Sequence, residues 1–167
     1  DIMFAVKEIC RYMAAPTKRA WKKLERLAEH LKKEPRLVQQ FKWQEKTAHV
    51  TTYSDANWAG CKRSRKSTSG GSIMIGKHFI KTWSKTLAII AKSSAESELY
   101  AVVRGTIEGI GMLTMLKELG SIMQARLHMD ASAAKGIIER KGMSKVRHID
   151  TDVLWLQEQQ IRMAIPL

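Results

Sequence analysis

The sequence has little cysteine, no long apolar run and no secretory leader pattern. Cys10 and Cys61 are its only cysteines, and they lie far apart without the close spacing of metal ligands. We therefore expect neither a disulfide scaffold nor a zinc site, and we expect a reducing compartment. No stretch of about 18 apolar residues occurs, so we expect no membrane span. Without a basic-then-apolar N-terminus, we expect an intracellular protein, cytoplasmic or nuclear.

Acidic residues are scarce relative to basic ones. The chain has 16 Asp and Glu against 29 Lys and Arg, which gives a formal net charge of +13 at pH 7. Such an excess indicates an anionic partner, most commonly nucleic acid, and the alternatives are a merely soluble basic protein or a fragment cut from an acidic neighbour. The chain begins at Asp1 rather than Met, so we expect it to be part of a longer protein.

Helical periodicity predicts two helices within residues 1–34, separated by Pro16. Thr17 can cap the second helix, which carries an apolar stripe and many Lys and Arg residues. That basic surface could contact nucleic acid, but Glu25 and Glu29 interrupt it. We therefore favour the interpretation that the charged face is solvated and that the helix packs on a neighbouring domain. Around Leu37 to Phe41 we expect a short strand or an irregular extended segment.

The remaining pattern predicts a mixed sheet with helices on its faces, which is an α/β (α+β) fold without internal repeats. A basic, glycine- and serine-rich loop is expected at 58–71, with a Gly76-Lys77 turn between the next two strands. The strands are expected at 49–55, 72–75, 79–83 and 126–129. The helices are expected at 94–119, where Ser93 and Glu96 form a capping box, at 131–140, and from His148 or Asp150 to Met163.

Three carboxylates occupy notable positions on this map. Asp55 ends the first strand, Glu98 lies in the first turn of the long helix, and Asp130 ends the fourth strand. Each has an ordinary explanation as a cap or a helix-dipole partner. Together they could meet at one edge of the sheet, where functional crevices of open α/β sheets lie. Meeting carboxylates would hold two Mg²⁺ or Mn²⁺ ions, which suit phosphodiester hydrolysis.

Several motifs resemble the RNase H domain of copia-type LTR retrotransposon Pol polyproteins. The likeness runs in unbroken order over about residues 47–160, which makes it far more specific than one short motif. It rests on Tyr53-Ser54-Asp55-Ala56-Asn57-Trp58-Ala59-Gly60-Cys61, Arg65-Lys66-Ser67-Thr68-Ser69-Gly70, Trp83-Ser84-Lys85, Ser93-Ser94-Ala95-Glu96-Ser97-Glu98-Leu99-Tyr100, Asp130 with Ser132-Ala133-Ala134, and Arg147-His148-Ile149-Asp150.

The resemblance implies an RNase H-like fold for residues 46–167. Residues 1–45 more weakly resemble the segment that connects the reverse transcriptase to this domain, and form a helical tether or appendage. The family's last strand and helix, which carry a fourth carboxylate, have no counterpart before Leu167. We therefore expect the domain to be truncated at its C-terminus.

The function implied is endonucleolytic cleavage of the RNA strand of RNA–DNA hybrids by two-metal-ion catalysis. The resemblance gives metal-ligating and catalytic roles to Asp55, Glu98 and Asp130, and none to Glu96. Asp150 and His148 are further catalytic candidates. The alternative, suggested by the missing fourth carboxylate, is an inactive remnant that binds nucleic acid or serves as a structural subunit. Reverse transcriptase, other parts of the polyprotein and a larger assembly are the expected protein partners.

The loop after the first strand is the predicted nucleic-acid contact. Its basic side chains would neutralise phosphates with little sequence information. Its hydroxyls could contact the backbone, although such residues are as often simple turn formers. The predicted set is Lys62, Arg63, Arg65, Lys66, Ser67, Thr68 and Ser69.

Overall fold

The structure is a computed structural model that describes residues 2–129, residue 136 and residues 150–163. The chain divides into two compact units, Asp1–Trp43 and Gln44–Leu167. Of the helix predicted at 131–140, only Gly136 is among the described residues.

The first unit contains the two predicted helices, α1 (Met3–Cys10) and α2 (Lys18–Lys33). Thr17 caps α2 as expected, because its Oγ1 accepts a hydrogen bond from the Ala20 N–H at 3.1 Å. Ala20 is the buried residue of α2. Residues 35–47 form no helix or strand, so the irregular alternative holds for that segment.

The second unit is built on a four-stranded mixed sheet in the order β3-β2-β1-β4. β1 pairs antiparallel with β2 and parallel with β4. Because β1 and β4 run in parallel, their C-terminal ends lie at the same edge of the sheet. The strands are β1 (His49–Asn57), β2 (Thr68–Ile75), β3 (His78–Thr86) and β4 (Gln124–His128).

Strand β2 begins earlier than the sequence predicts, at Thr68 rather than Ser72. The glycine and serine residues that indicated a loop are paired with β1, and Gly71 lies opposite Ser54. Tertiary packing explains the difference, because a Cβ on Gly71 would lie 2.1 Å from Cζ2 of Trp83 and 2.4 Å from the carbonyl oxygen of Tyr53. Glycine is needed there for the close approach of the Trp83 ring, which is buried in the core.

The hairpin between β2 and β3 turns at Gly76-Lys77, as predicted. Gly76 adopts a positive φ of 59°, which glycine tolerates without strain. Gln44 holds this turn from the start of the second unit. Its Oε1 accepts a hydrogen bond from the Lys77 N–H at 2.8 Å, and its Nε2 donates to the Ile75 carbonyl at 2.9 Å.

Helix α3 (Ser94–Glu118) crosses one face of the sheet. Ser93 Oγ accepts a hydrogen bond from the Glu96 N–H at 3.1 Å, as the capping box predicts. The Glu96 carboxylate accepts from the Lys92 N–H at 2.7 Å. Gly120, with a φ of +78°, ends the helix.

By length and composition alone, α3 could cross a membrane. Its burial argues for a different role, because 44% of its most apolar window lies inside the fold. Leu99 and Val102 are fully buried in a core cluster shared with β4 and with α4 (Asp150–Met163). These contacts identify α3 as the central helix of a globular unit.

An ion-pair group joins α3 to β3. Glu108 accepts from Lys81 Nζ at 2.6 Å and also pairs with Arg104. Burial opposes ionisation of Glu108, but the hydrogen bonds and charges of Lys81 and Arg104 outweigh it and lower the pKa below its ordinary 4.5. A lowered folded-state pKa contributes stability above pH 4.5, and that contribution is lost as the pH falls through the folded value.

We therefore expect Glu108→Gln to reduce the free energy of unfolding by about 1–2 kcal/mol at pH 7. The difference from the unchanged protein should shrink towards zero in urea titrations below pH 4.5. Glu118→Gln, at the exposed end of α3, is the control and should change little. A destabilisation that stays constant from pH 7 to acid would contradict the assignment.

Candidate active site

Asp55 lies near the C-terminal end of β1, on the face of the sheet away from α3. Alternation along the strand buries Val50, Thr52 and Ser54 and exposes Tyr53 and Asp55. Asp55 lines a surface cleft of about 520 Å³. The other lining residues are Tyr53, Ser54, Gly70, Gly71, His128 and Met129.

Two stacked rings, one from β1 and one from β4, form part of the wall of the cleft. Tyr53 and His128 are direct partners in the parallel register, and their ring centroids are 5.1 Å apart with planes 14° from parallel. Met129, the next residue, also lines the cleft. Neither His128 nor Met129 is among the predicted site residues. The sequence did contain a signal for them, because Tyr53 and Asp55 share one face of β1 and because the strand that contains His128 leads to Asp130.

The direction of α3 follows from two glycines. A Cβ on Gly105 would lie 3.1 Å from the Ser54 Cβ, and one on Gly109 would lie 2.9 Å from the Thr52 Oγ1. Moving towards the C-terminus of α3 therefore moves backwards along β1. The first turn of α3, which contains Glu98, is consequently directed towards the edge where β1 ends.

The three predicted ligands are thus in different situations. Asp55 is exposed on the open face, whereas Glu98 belongs to α3 and is 8% exposed. The two approach the same edge from opposite faces, so any shared ion would lie at the edge itself. Asp130 lies outside the described residues, as does His148, and the side chain of Asp150 is not described. Within the described part of the chain, no three potential metal ligands are grouped.

Glu96 lies two residues before Glu98 and is 5% exposed. Its bond to the Lys92 N–H gives it a structural use at the start of α3. Tyr100 and Asp152 share its surroundings where α3 meets α4. Burial raises the pKa of Asp152, and burial together with the charges of Glu96 and Asp152 raises the pKa of Tyr100. Two carboxyl groups outside the predicted site, Glu96 on α3 and Asp152 on α4, therefore lie near Tyr100.

The loop between β1 and β2 forms a tight turn that presents basic side chains. The Arg65 N–H donates to the Cys61 carbonyl at 2.7 Å, and the Cys61 N–H donates to the Lys66 carbonyl at 3.2 Å. Lys62, Arg63 and Arg65 are exposed, whereas Lys66 is half-buried and donates its Nζ to the Ala88 carbonyl.

Two of the hydroxyl groups that were predicted to contact nucleic acid form hydrogen bonds inside the fold instead. Ser67 is fully buried and its Oγ accepts from the Ala59 N–H at 3.0 Å. Ser69 is 1% exposed and its Oγ accepts from Trp83 Nε1 at 3.4 Å. The loop closes against the sheet, and this closure buries both hydroxyl groups because each forms a hydrogen bond within the fold. Thr68 is half-buried at the start of β2.

The mixed sheet and the long helix across it form an RNase H-like fold. LC11-RNase H1, isolated from compost, matches with a TM-score of 0.53 and 12% identity over 70% of this chain and 78% of that one. The same protein in complex with an RNA/DNA hybrid gives a TM-score of 0.50 and 12% identity over 68% and 78%. At this identity the likeness shows the fold alone.

Sequence relatives give the family. Two retrovirus-related Pol polyproteins of Arabidopsis thaliana, from transposons RE2 and RE1, are each 32% identical over 120 residues, or 72% of this chain. The secreted RxLR effector protein 161 of Plasmopara viticola is 31% identical over 110 residues, 66% of this chain and 77% of that protein. No protein-family model matches. The chain belongs to the retrovirus-related Pol polyproteins of transposons, and spans 8% of the length of the RE2 and RE1 polyproteins.

Proposed function

We propose that this chain hydrolyses the RNA strand of RNA–DNA hybrids as the RNase H-like part of a retrotransposon polyprotein. Asp55, Glu98 and Asp130 would act together at the edge where β1 and β4 end. Reverse transcriptase and other segments of the same polyprotein would be its neighbours, with the Asp1–Trp43 unit as the connection between them. An intracellular location, cytoplasmic or nuclear, is part of the same proposal.

The observation that carries the proposal is the orientation of α3 over β1. The contacts of Gly105 with Ser54 and of Gly109 with Thr52 direct the start of the helix towards the edge where Asp55 lies. Because β4 is parallel to β1 and ends beside Tyr53, the chain leaves β4 at this same edge, two residues before Asp130. These directions support our proposal that the three predicted carboxylates act at one edge of the sheet.

The donor chemistry fits a hard divalent cation. Carboxylate oxygens are the ligands that Mg²⁺ and Mn²⁺ prefer, and Asp55 is open to solvent while Glu98 is held in place by burial. Negative charge from neighbouring carboxylates would repel unless cations were present. A pair of such ions, when bound, would activate water and stabilise the leaving oxygen of a phosphodiester.

The exposed side chains of the loop supply the contact with substrate. Lys62, Arg63 and Arg65 follow β1 directly and present positive charge near the end of the strand that holds Asp55. Their attraction for phosphates does not depend on base sequence. The open cleft beside Asp55 gives the backbone of a bound strand access to the carboxylate.

The direct test is cleavage of a hybrid labelled at one end of its RNA strand. We expect cleavage with Mg²⁺ or Mn²⁺, none in EDTA, and none by Asp55→Asn in either metal. The labelled DNA strand of the same hybrid should stay intact. Hybrid binding without cleavage in both metals would overturn the enzymatic proposal and support the alternative of an inactive nucleic-acid-binding remnant.

A further inference from the structure

Helix α2 presents one side that is almost entirely cationic. Five exposed basic residues fall within an arc of about 100° when the helix is viewed down its axis. Glu29 is the acid that falls within the same arc, and the buried Ala20 lies on the opposite side. We call the five residues the cationic face: Lys18, Arg19, Lys22, Arg26 and Lys33.

The fold of the first unit does not use this charge. Its recorded ion pairs join Glu8 to Lys7 at 3.1 Å and to Arg11 at 3.5 Å, all on or next to α1. Among the described residues, the cationic face forms no ion pair. The groove between α1 and α2 is lined by Phe4, Ile9 and Leu27, and Arg26 borders it at one margin of the cationic face. The other four residues of the cationic face do not line this groove and are exposed.

The charges also break two local rules of helix stability. The first turn of α2 contains no acid and begins with Lys18 and Arg19, which lie at the positive end of the helix dipole. Like charges repel at the spacing of four residues that separates Lys18 from Lys22 and Lys22 from Arg26. Local rules are broken most often where a function requires it. An anionic partner would relieve both repulsions.

We infer that the cationic face of α2 binds the phosphate backbone of a nucleic-acid duplex. The 16 residues of α2 extend about 24 Å, and a duplex presents about one charge per 1.7 Å of its axis, so several phosphates lie within reach. Exposed Lys and Arg side chains suit this contact because phosphate binding requires no base recognition. An anionic membrane fits less well, since it would have to take up the apolar side that α1 partly covers.

This surface and the carboxylate edge belong to different units of the chain. The cationic face lies in the Asp1–Trp43 unit, and its binding requires no divalent ion and no chemistry. Its test therefore runs in EDTA, where the proposed cleavage cannot occur. A failure of cleavage would leave the inference intact, and a failure of binding by α2 would leave the proposed catalytic residues intact.

The experiment compares two charge-matched variants of the full 167-residue chain. Both lose four positive charges, and the control takes them from exposed positions outside the cationic face. Affinity for a short labelled RNA–DNA hybrid is measured in EDTA over a range of salt concentrations. The face variant is Lys18→Gln, Lys22→Gln, Arg26→Gln and Lys33→Gln, and the control is Arg36→Gln, Lys46→Gln, Lys77→Gln and Lys117→Gln.

We expect the face variant to lose at least about tenfold in affinity at low salt. The magnitude of its slope of log K against log salt should fall by up to about 3.6, since each of the four phosphate contacts contributes about 0.9 on duplex DNA. The control variant should show a much smaller loss of affinity and a much smaller change in slope. Equal losses in the two variants would overturn the inference, because net charge alone would then explain binding. The inference would also be overturned if the face variant kept its affinity for the hybrid and lost only its binding to vesicles that contain phosphatidylserine.

A second readout separates binding from folding. Lys18, Lys22 and Arg26 repel one another, whereas Lys33 lies favourably in the last turn of α2. The four substitutions together should therefore leave the helix content by circular dichroism and the resistance to urea close to those of the unchanged protein. Lower affinity together with unimpaired stability supports a binding surface. Lower affinity with loss of helix content would contradict it, because the cations would then serve the fold.

Discussion

Glu98→Gln is expected to reduce cleavage of the RNA strand by at least about 100-fold, with the fold and hybrid binding retained. The amide keeps the size of the side chain, so the packing of a residue that is 8% exposed should survive. The substitution replaces a charged carboxylate oxygen with a neutral amide oxygen, which binds a divalent ion more weakly. Initial cleavage rates in saturating Mg²⁺, with hybrid affinity measured in EDTA, separate the two effects.

Glu96→Gln is the matched control, since the two acids share a helical turn and are similarly buried. Its amide oxygen can still accept the hydrogen bond from the Lys92 N–H, so the start of α3 should hold. We expect cleavage close to that of the unchanged protein. Equal losses from the two substitutions would show that the start of α3 is merely sensitive to change, and full activity of Glu98→Gln would exclude Glu98 as a ligand.

Gly71→Ala is expected to destabilise the protein by about 3 kcal/mol, the upper part of the usual range for overpacking. The new methyl group would meet the ring of the buried Trp83 at 2.1 Å and the carbonyl oxygen of Tyr53 at 2.4 Å. A backbone oxygen cannot move aside like a flexible side chain, so β1 must shift. Urea unfolding at pH 7 measures the loss, and cleavage should fall too because Asp55 lies two residues after Tyr53.

Gly70→Ala provides the comparison within the same strand. Its Cβ would find the Trp83 carbonyl oxygen at 3.9 Å, which is an ordinary contact. We expect a change within about 1 kcal/mol, since alanine also lowers the entropy of the unfolded chain. A similar loss from both substitutions would mean that β2 needs glycine for backbone flexibility rather than for the Trp83 ring.

Local signals were sufficient for α1, α2 and α3, whereas the helix predicted at 131–140 lies outside the described residues apart from Gly136. Pro16 and the cap at Thr17 separate α1 from α2, and Ser93 and Gly120 bound α3 to within a residue of its predicted ends. These signals act over one or two turns, so they are readable without knowledge of the neighbours. The separate positions of Asp55 at a strand end and of Glu98 in a first helical turn followed from the same reading.

Strand β2 and the serine hydroxyls were not readable in this way. Thr68 to Gly71 has the composition of a loop, but β1 on one side and β3 on the other complete its hydrogen bonds. The burial of Ser67 and Ser69 follows from the same pairing. Strand propensity depends on what packs across the sheet, so partners distant in sequence decide it.

Caps, periodicity and motifs are properties of neighbouring residues, so the sequence alone was sufficient to predict α1 to α3, the mixed α/β class, the positive charge and the family resemblance. Tertiary structure alone decided that α3 runs back along β1, that Tyr53 stacks on His128, and that Asp55 and Glu98 approach one edge from opposite faces. Those facts depend on close contacts such as Gly105 with Ser54, between positions that lie about fifty residues apart in the chain.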